Sequence, residues 1–211
     1  MQRDPTASPP SPASARAQAD ADLDLLLARL ALAAVDGDRN ALNELLARTG
    51  PVVVRYCRGR LGGRAVGITT PEDVAQDVLM AVCTSLHRFR DLEGPFLAFV
   101  YGIARNKVAD VFRAAARDRS DPVEEIPERA DDASGPEPSA LALAEKDMLR
   151  ELLDELPAQQ REIVVLRLIT GLSAEETART VGSTAGAVRV AQHRAMQTMR
   201  RSLAARPRDD P

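Results

Sequence analysis

LPAQQREIVVLRLITGLSAEETARTVGSTAGAVRVAQHRAMQTMRR, residues 156–201, decides the fold. Pro157 opens a helix in which Ile163, Val164, Leu166 and Leu168 supply apolar bulk, and Gly171 ends it. Ser173 caps the next helix, and Glu176, three residues on, completes a capping box. Ala174, Thr177, Ala178 and Val181 face inward on that helix. Gly182 supplies a turn that a residue without Cβ makes easily. Ser183 is placed to cap the last helix, where Val188, Ala191, Ala195 and Met199 form the expected buried stripe. Two short helices meeting at a glycine turn make a helix-turn-helix, a unit that lays one helix in the major groove of duplex DNA.

The charge of the last helix agrees. From Arg179 to Arg208 there are seven Arg and no Asp or Glu, so the local field is positive although the whole chain carries −3. Arg189, His193, Gln197 and Arg200 fall within roughly an 80° sector at 100° per residue. Arg189 is the candidate for a bidentate contact to guanine. His193 can hydrogen-bond a base or a phosphate, and Arg194, Arg200 and Arg201 leave on neighbouring sides, suited to phosphates.

Moving toward the N-terminus, a helix is expected at about 141–155. Before it, residues 120–137 hold seven acids against one Arg with three prolines interspersed, the composition of a solvated linker over 118–140. A first helical block is expected over 20–117. Segments 20–35, 39–48 and 51–62 read as helices, broken at Asp36-Gly37-Asp38 and restarted at Pro51. Thr70-Pro71-Glu72-Asp73 reads as N-cap, proline at the first helical position and an acid at the third. Val74, Val78, Ala81, Val82 and Leu86 follow as its apolar face, opposite Asp73, Gln76, Asp77, Met80 and Thr84. A long helix is expected from about Phe96 to Ala116, with Val100, Ile103, Ala104, Val108, Val111 and Ala115 buried. Residues 1–19 lack apolar periodicity and read as a disordered tail, and 204–211 as a polar tail. The fold class is therefore all-α: two small helical domains, 20–117 and 141–203, on a flexible acidic linker.

Composition narrows the function classes. Hydrophobic residues make up 45% of the 211, enough for a core, while aromatics are only 3% and Trp is absent, which favours Leu/Ala/Val-packed helices over sheets. Cys57 and Cys83 have no metal-ligand spacing and make no disulfide framework, so a reducing cytoplasm is expected. No apolar run approaches the roughly 20 residues that span a bilayer. No glycine-rich phosphate loop and no convergent Ser, His and Asp set point to an enzyme. Asp73 and Asp77 lie one helical turn apart, and without a third acid or a histidine opposite they suit a solvated docking face better than metal or carboxylate chemistry. No cofactor, metal or small-molecule substrate is expected.

Two signatures together resemble the extracytoplasmic-function (group 4) sigma factors of bacterial RNA polymerase, in particular the actinobacterial SigD type. The first block carries PEDVAQDVLMAVCTSLHRF (71–89) and GPFLAFVYGIARNKVADVFRAAAR (94–117); the second carries LPAQQREIVVLRLITGLSAEETARTVGSTAGAVRVAQHRA (156–195). They resemble the family's domain for core polymerase and the −10 element, then its −35 domain, in that order. The resemblance implies that Asp73, Gln76, Asp77 and Met80 dock the clamp helices of the polymerase's largest subunit. It implies that Leu86 to Gly94, with Phe89 and Arg90, receives a flipped base, and that Arg105, Asn106, Lys107, Asp110 and Arg113 handle the melting −10 DNA. Ser183, Thr184, Arg189, His193, Arg194, Gln197 and Arg200 would belong to the −35 reader. The linker takes the place of the segment that threads the polymerase channels. The partners implied are core RNA polymerase, promoter DNA and a membrane-bound anti-sigma protein.

Departures from the family pattern are specific. Phe99 and Tyr101 stand near where the family often has Trp, and Val190-Ala191 follow Arg189 where Ser-Arg is common. Phe89 itself reads more readily as a core residue than as a base platform, and His87 as a solvated or capping histidine. Two other readings remain: a regulator that binds duplex operator DNA as a dimer, and a helical protein-interaction module whose basic face is incidental.

Overall fold

The computed structural model describes residues 12–62, 65–92, 94–118 and 140–206. Among them are eight α-helices: α1 (Pro12–Val35), α2 (Arg39–Leu61), α3 (Pro71–Ser85), α4 (Phe96–Asp118), α5 (Ala140–Asp154), α6 (Ala158–Val164), α7 (Ala174–Val181) and α8 (Ala185–Ala205). The linker expectation falls almost wholly on 119–139, outside the described residues.

Two expectations for the first block are corrected. The tail over 1–19 does not extend that far, because α1 already starts at Pro12. Proline suits a first helical position, and Ala13, Ala15, Ala17, Ala19 and Ala21 supply high helix propensity where no apolar stripe is needed. The helices expected at 39–48 and 51–62 are one, since α2 runs through Gly50 and Pro51. Pro51 removes one backbone donor, but Leu45, Thr49, Val53, Tyr56 and Cys57 carry an unbroken buried stripe across it. Tertiary packing outweighs the local break.

Capping fixes the entries to the helices. Asp38 accepts from the N–H groups of Asn40 and Ala41 at the start of α2. Thr70 and Asp73 form the expected reciprocal box, with Pro71 at the first position of α3. Val74, Ala75, Val78 and Val82 are buried beneath it. Leu86–Asp91 is a 3-10 turn, whose three-residue period puts Leu86 and Phe89 on the same side, and both are buried. Phe96, Val100, Tyr101, Ala104 and Val108 bury one stripe of α4. Tyr56 and Tyr101 meet at a tilt with ring centroids 5.3 Å apart, and Phe89 meets Phe96 edge-on at 5.1 Å. Phe99, 5.7 Å from Phe89, completes the aromatic cluster. Phe99 and Tyr101 thus both pack into the core of the first block.

In the second block, α6 passes into a π turn over Val165–Ile169, closed by Thr170 N–H donating to the Val165 carbonyl at 3.0 Å. The wider turn shifts the helical phase. Val165 and Leu166 are buried, whereas Leu168 is half exposed. Ile163, Ala174, Ala178 and Val188 form one small core, and Leu152, Leu153, Leu156, Val164, Ala195 and Met199 another.

The two blocks touch. Val165, Leu166 and Leu172 of the second belong to the same buried cluster as Leu45, Tyr56, Val78 and Tyr101 of the first. Gly59 faces Val165 and Ile169 so closely that a Cβ there would lie 3.1–3.3 Å from their methyl groups. Patterning within either block cannot reveal such a seam.

Candidate nucleic-acid interface

The turn between α7 and α8 is built by Gly182, at φ 67, whose N–H donates to the Ala178 carbonyl. Ser173 and Glu176 form the expected box at the start of α7: Ser173 N–H donates to Glu176 Oε2 at 2.7 Å, and Glu176 N–H to Ser173 Oγ at 3.1 Å. The cap of α8 is not Ser183 but Thr184, whose hydroxyl accepts from Ala187 N–H at 3.2 Å. The glycine turn and the Ser183 N–H bond to Ala178 use up one residue more than the sequence pattern suggested.

Beyond that turn, α8 presents a solvated face. Ser183, Thr184, Arg189, His193, Arg194, Gln197 and Arg200 are all exposed, and Val188, Ala195 and Met199 are buried behind them. His193 Nε2 and Gln197 Nε2 lie 3.0 Å apart. Arg189 is paired with Glu175 of α7 at 2.5 Å, both side chains exposed. Glu175 is held below the usual carboxylate range by its own backbone N–H and then by Arg189. An exposed pair of this kind is screened by solvent and contributes little to stability, so a ligand phosphate or base can displace it. Beside this face, Gln159, Gln160 and Ile163 of α6 with Ser183, Ala187, Val190, Ala191 and Arg194 line a shallow depression of about 360 Å³. Val190, 51% exposed, puts an apolar side chain among these polar groups.

On α3, Gln76, Asp77 and Met80 are exposed along one side. Asp73 shares that side, but its carboxylate accepts from the Thr70 N–H at 2.9 Å and hydroxyl at 2.7 Å. Its first role is to hold the start of α3.

The seven residues assigned to −10 DNA are dispersed over several environments. Phe89 is buried among Phe96 and Phe99, the core reading, yet its edge also lines a cleft of about 420 Å³. Arg90 pairs with Asp36 in the turn between α1 and α2, and Arg113 with Asp110 one turn away on α4. Asn106 is exposed and Lys107 half-buried. Arg105 donates to the Thr180 carbonyl of α7 at 3.4 Å. Arg105 and Asn106 line the same cleft as Phe89 and Phe99, and its far wall is Arg179 and Thr180. His87 is exposed, as a solvated histidine would be.

Sequence reasoning missed a buried polar group between the blocks. Tyr56 donates to Glu162 Oε1 at 2.6 Å, and Arg60 Nε lies 2.8 Å from Glu162 Oε2. The Arg60 N–H is not aimed at that oxygen, so the contact is an ion pair without an aligned hydrogen bond. Arg60 also reaches the Ala158 carbonyl at 3.4 Å. Burial and then the Glu162 charge push the Tyr56 hydroxyl well above the usual phenol range. No spacing joins residues 56 and 162, and only folding brings them together.

The sigma-70 region 2 family matches residues 45–118, and the sigma-70 region 4 family matches 146–199. An ECF RNA polymerase sigma factor, SigD of Mycobacterium tuberculosis, is 55% identical over 172 residues, 82% of this chain and 81% of the relative. The chain belongs to the ECF sigma factors. ShbA of Streptomyces griseus, another ECF sigma factor, is 46% identical over 180 residues, 83% of this chain and 94% of the relative. A solved structure of CnrH in complex with the cytosolic domain of CnrY superimposes with a TM-score of 0.64 at 26% identity, covering 86% of this chain and 99% of that one. Sigma factor RpoE of Bartonella quintana, solved with anti-sigma factor NepR, shares the fold with a TM-score of 0.60 at 21% identity over 78% of this chain and 98% of that one. The order read from the sequence, docking block first and helix-turn-helix second, is that of the two family regions. No helix among the described residues is long and apolar enough to cross a membrane.

Proposed function

We propose that this sigma factor binds core RNA polymerase through Gln76, Asp77 and Met80 of α3 and reads duplex −35 DNA with α8. In the same reading it holds the opened −10 strand along α4. The observation that carries the assignment is the pairing of a capped α3 bearing an exposed acidic edge with a separate helix-turn-helix whose outward face is basic. Asp73 belongs to this edge chiefly through the cap it makes. On α8, Arg189 exchanges Glu175 for guanine, His193 and Gln197 follow it along the groove, and Ser183, Thr184, Arg194 and Arg200 hold phosphates.

In region 2, Arg105, Asn106, Lys107 and Arg113 contact the separated strand, with Asp110 positioning Arg113 and Arg90 guiding the strand past the 3-10 turn. The cleft edged by Phe89 and Phe99 receives an unstacked base. Stacking of this kind is worth about 1–3 kcal/mol per base, so opening proceeds by capture without nucleotide hydrolysis. The chain then has no catalytic centre of its own and works in the cytoplasm, where the polymerase is. The domain bounds 20–117 and 141–203 describe the two working parts. By its likeness to CnrH, solved with the cytosolic domain of CnrY, a membrane-anchored inhibitor covering the α3 edge or the α8 face fits this chain as well.

The test is transcription in vitro with purified core polymerase on genomic promoter fragments. Wild-type protein directs initiation at discrete start sites, and Asp77→Arg loses it while retaining its fold by circular dichroism. A wild-type chain that starts no transcript, yet protects a two-fold-symmetric site without polymerase, would be an operator-binding regulator instead.

A further inference from the structure

Two residues on the outward face of α8 have no use within the protein. Val188, Ala195 and Met199 are the buried residues of that helix and fix the direction of the core. At 100° per residue, Gly186 and Val190 each lie about 20° from the opposite pole of the helix, and Gln197 reaches the pole two turns further on. Arg189 lies about 80° from that pole on one side and Arg194 about 60° on the other. The first two turns of α8 therefore aim a glycine and a valine most directly outward, with the cations flanking them. Val190 is 51% exposed and belongs to none of the buried clusters.

Neither residue is chosen by the fold. A valine at this position gains nothing from burial, and its branched Cβ suits a helix less well than the straight polar chains around it. A Cβ on Gly186 would meet no packing neighbour within 4 Å, and its φ is not positive, so neither close packing nor a turn calls for glycine. Against duplex DNA both make sense. A glycine one turn ahead of Val190 lets the start of α8 come nearer the bases, where a recognition helix makes its base contacts. Among the donors and acceptors of the major groove stands one apolar group, the C5 methyl of thymine. Any other base edge set against Val190 would lose a water and gain no hydrogen bond. The surroundings favour nucleic acid over an apolar protein surface, because α8 carries no acid along its length.

We propose that Val190 is a specificity-determining residue of the −35 reader, packing on the C5 methyl of one thymine, and that Gly186 leaves the room this contact needs. This rests on the proposed assignment of α8 to −35 duplex DNA and adds an apolar contact to the polar ones of Arg189, His193 and Gln197. Consecutive Cα atoms are about 3.8 Å apart and stacked bases about 3.4 Å, so the thymine stands within about two base pairs of the guanine at Arg189.

Removing a methyl group from the DNA and changing nothing else tests it. Holoenzyme is reconstituted from core polymerase and the full chain, and a promoter on which it initiates is found by transcription in vitro. Each thymine of the −35 region, on either strand, is then replaced in turn by uracil, which pairs like thymine but lacks the C5 methyl. Competition binding of these duplexes is measured with wild-type, Val190→Ala and Gly186→Ala holoenzymes. For wild type, uracil at one position within about two base pairs of the base read by Arg189 is expected to weaken binding about fourfold, the worth of one buried methyl group. Val190→Ala binds the thymine duplex as weakly as wild type binds the uracil one and no longer distinguishes them. Gly186→Ala keeps its helix content and thermal stability yet binds every duplex about tenfold less tightly. Indifference of the wild type to uracil at every position overturns the proposal, and an apolar protein partner on Val190 would give that result. A thymine preference that survives unchanged in Val190→Ala overturns it too, and Gly186→Ala at full affinity overturns the close approach. A holoenzyme that initiates nowhere defeats the −35 reading. The same uracil scan, run on duplexes that the full chain alone selects from a random pool, then decides separately whether Val190 reads a methyl.

Discussion

The α4 face and the α8 face are both assigned to DNA, and they differ in what stands beside them. Around α4, Arg90 pairs with Asp36 and Arg113 with Asp110, exposed pairs like that of Arg189 with Glu175 on α8. What sets α4 apart is region 4 itself: Arg105 reaches the Thr180 carbonyl, and Arg179 and Thr180 line the cleft that Arg105 and Asn106 edge while staying exposed. The difference follows from the seam between the regions, which brings α7 against α4 and leaves the outward side of α8 to solvent.

The largest effect is expected at the seam that makes the two faces unlike. Leu166 belongs to region 4 by sequence, but it is fully buried in the core built mainly by region 2. Leu166→Ala is expected to cost about 2–5 kcal/mol in urea unfolding followed by circular dichroism. A loss well under about 1 kcal/mol would mean that the regions pack loosely and that their faces differ for another reason. Next come the contacts on the open face. Arg189→Ala should weaken binding of a −35 duplex by about 1–3 kcal/mol, with the loss confined to one base position in a substitution series. Arg200→Ala should weaken all sequences alike and lower the salt slope by about 0.9. Equal, sequence-independent losses from both would reduce α8 to a phosphate-binding surface.

The same comparison explains what the sequence disclosed. Features set by neighbours along the chain were legible: the Thr70–Asp73 and Ser173–Glu176 boxes, the Gly182 turn, the stripe of α3. The solvent-facing side of α8 was legible, because its polar and basic residues recur at helical spacing. The breaks at 12–19 and at Pro51 were misread, since helix propensity in the first case and burial in the second overrode the local signal. The π turn over Val165–Ile169, which leaves Leu168 half exposed, was not legible, because no residue type announces it. The Glu162–Arg60–Tyr56 group and the Arg105–Thr180 contact were invisible, for they join residues far apart in the chain and no periodicity links them. What lies between the halves is the least legible part, and it is the part that sets the two faces apart.

A smaller effect separates two adjacent residues on the open face. Thr184 caps α8 through Ala187 N–H, whereas Ser183 is outside the helix. Thr184→Ala should cost about 1 kcal/mol of stability, and Ser183→Ala should stay within about 0.5 kcal/mol. Thermal unfolding of the two variants side by side checks the order, and a larger loss at Ser183 would return the cap to the position the sequence suggested.

The smallest effect lies where α1 meets the start of α4. Asp24 of α1 accepts from Leu97 N–H at 3.3 Å at the start of α4. Burial raises its carboxyl above the ordinary value of 3.8; the Leu97 bond opposes that shift, and nearby Glu176 of region 4 adds to it. A raised acid binds its proton more tightly in the folded chain than in the unfolded one, so its ionisation costs stability at neutral pH. That cost is relieved as pH falls through the raised folded value and is gone below 3.8. Asp24→Asn keeps an acceptor for Leu97 and removes the ionisation. The variant should therefore be slightly more stable than wild type at pH 7, with the difference closing as the pH approaches the ordinary carboxylate range. Chemical denaturation at a series of pH values measures that difference directly. A gap that widens toward acid would mean that the Asp24 charge stabilises the start of α4, and that α1 and α4 are held together at this edge by charge instead of in spite of it.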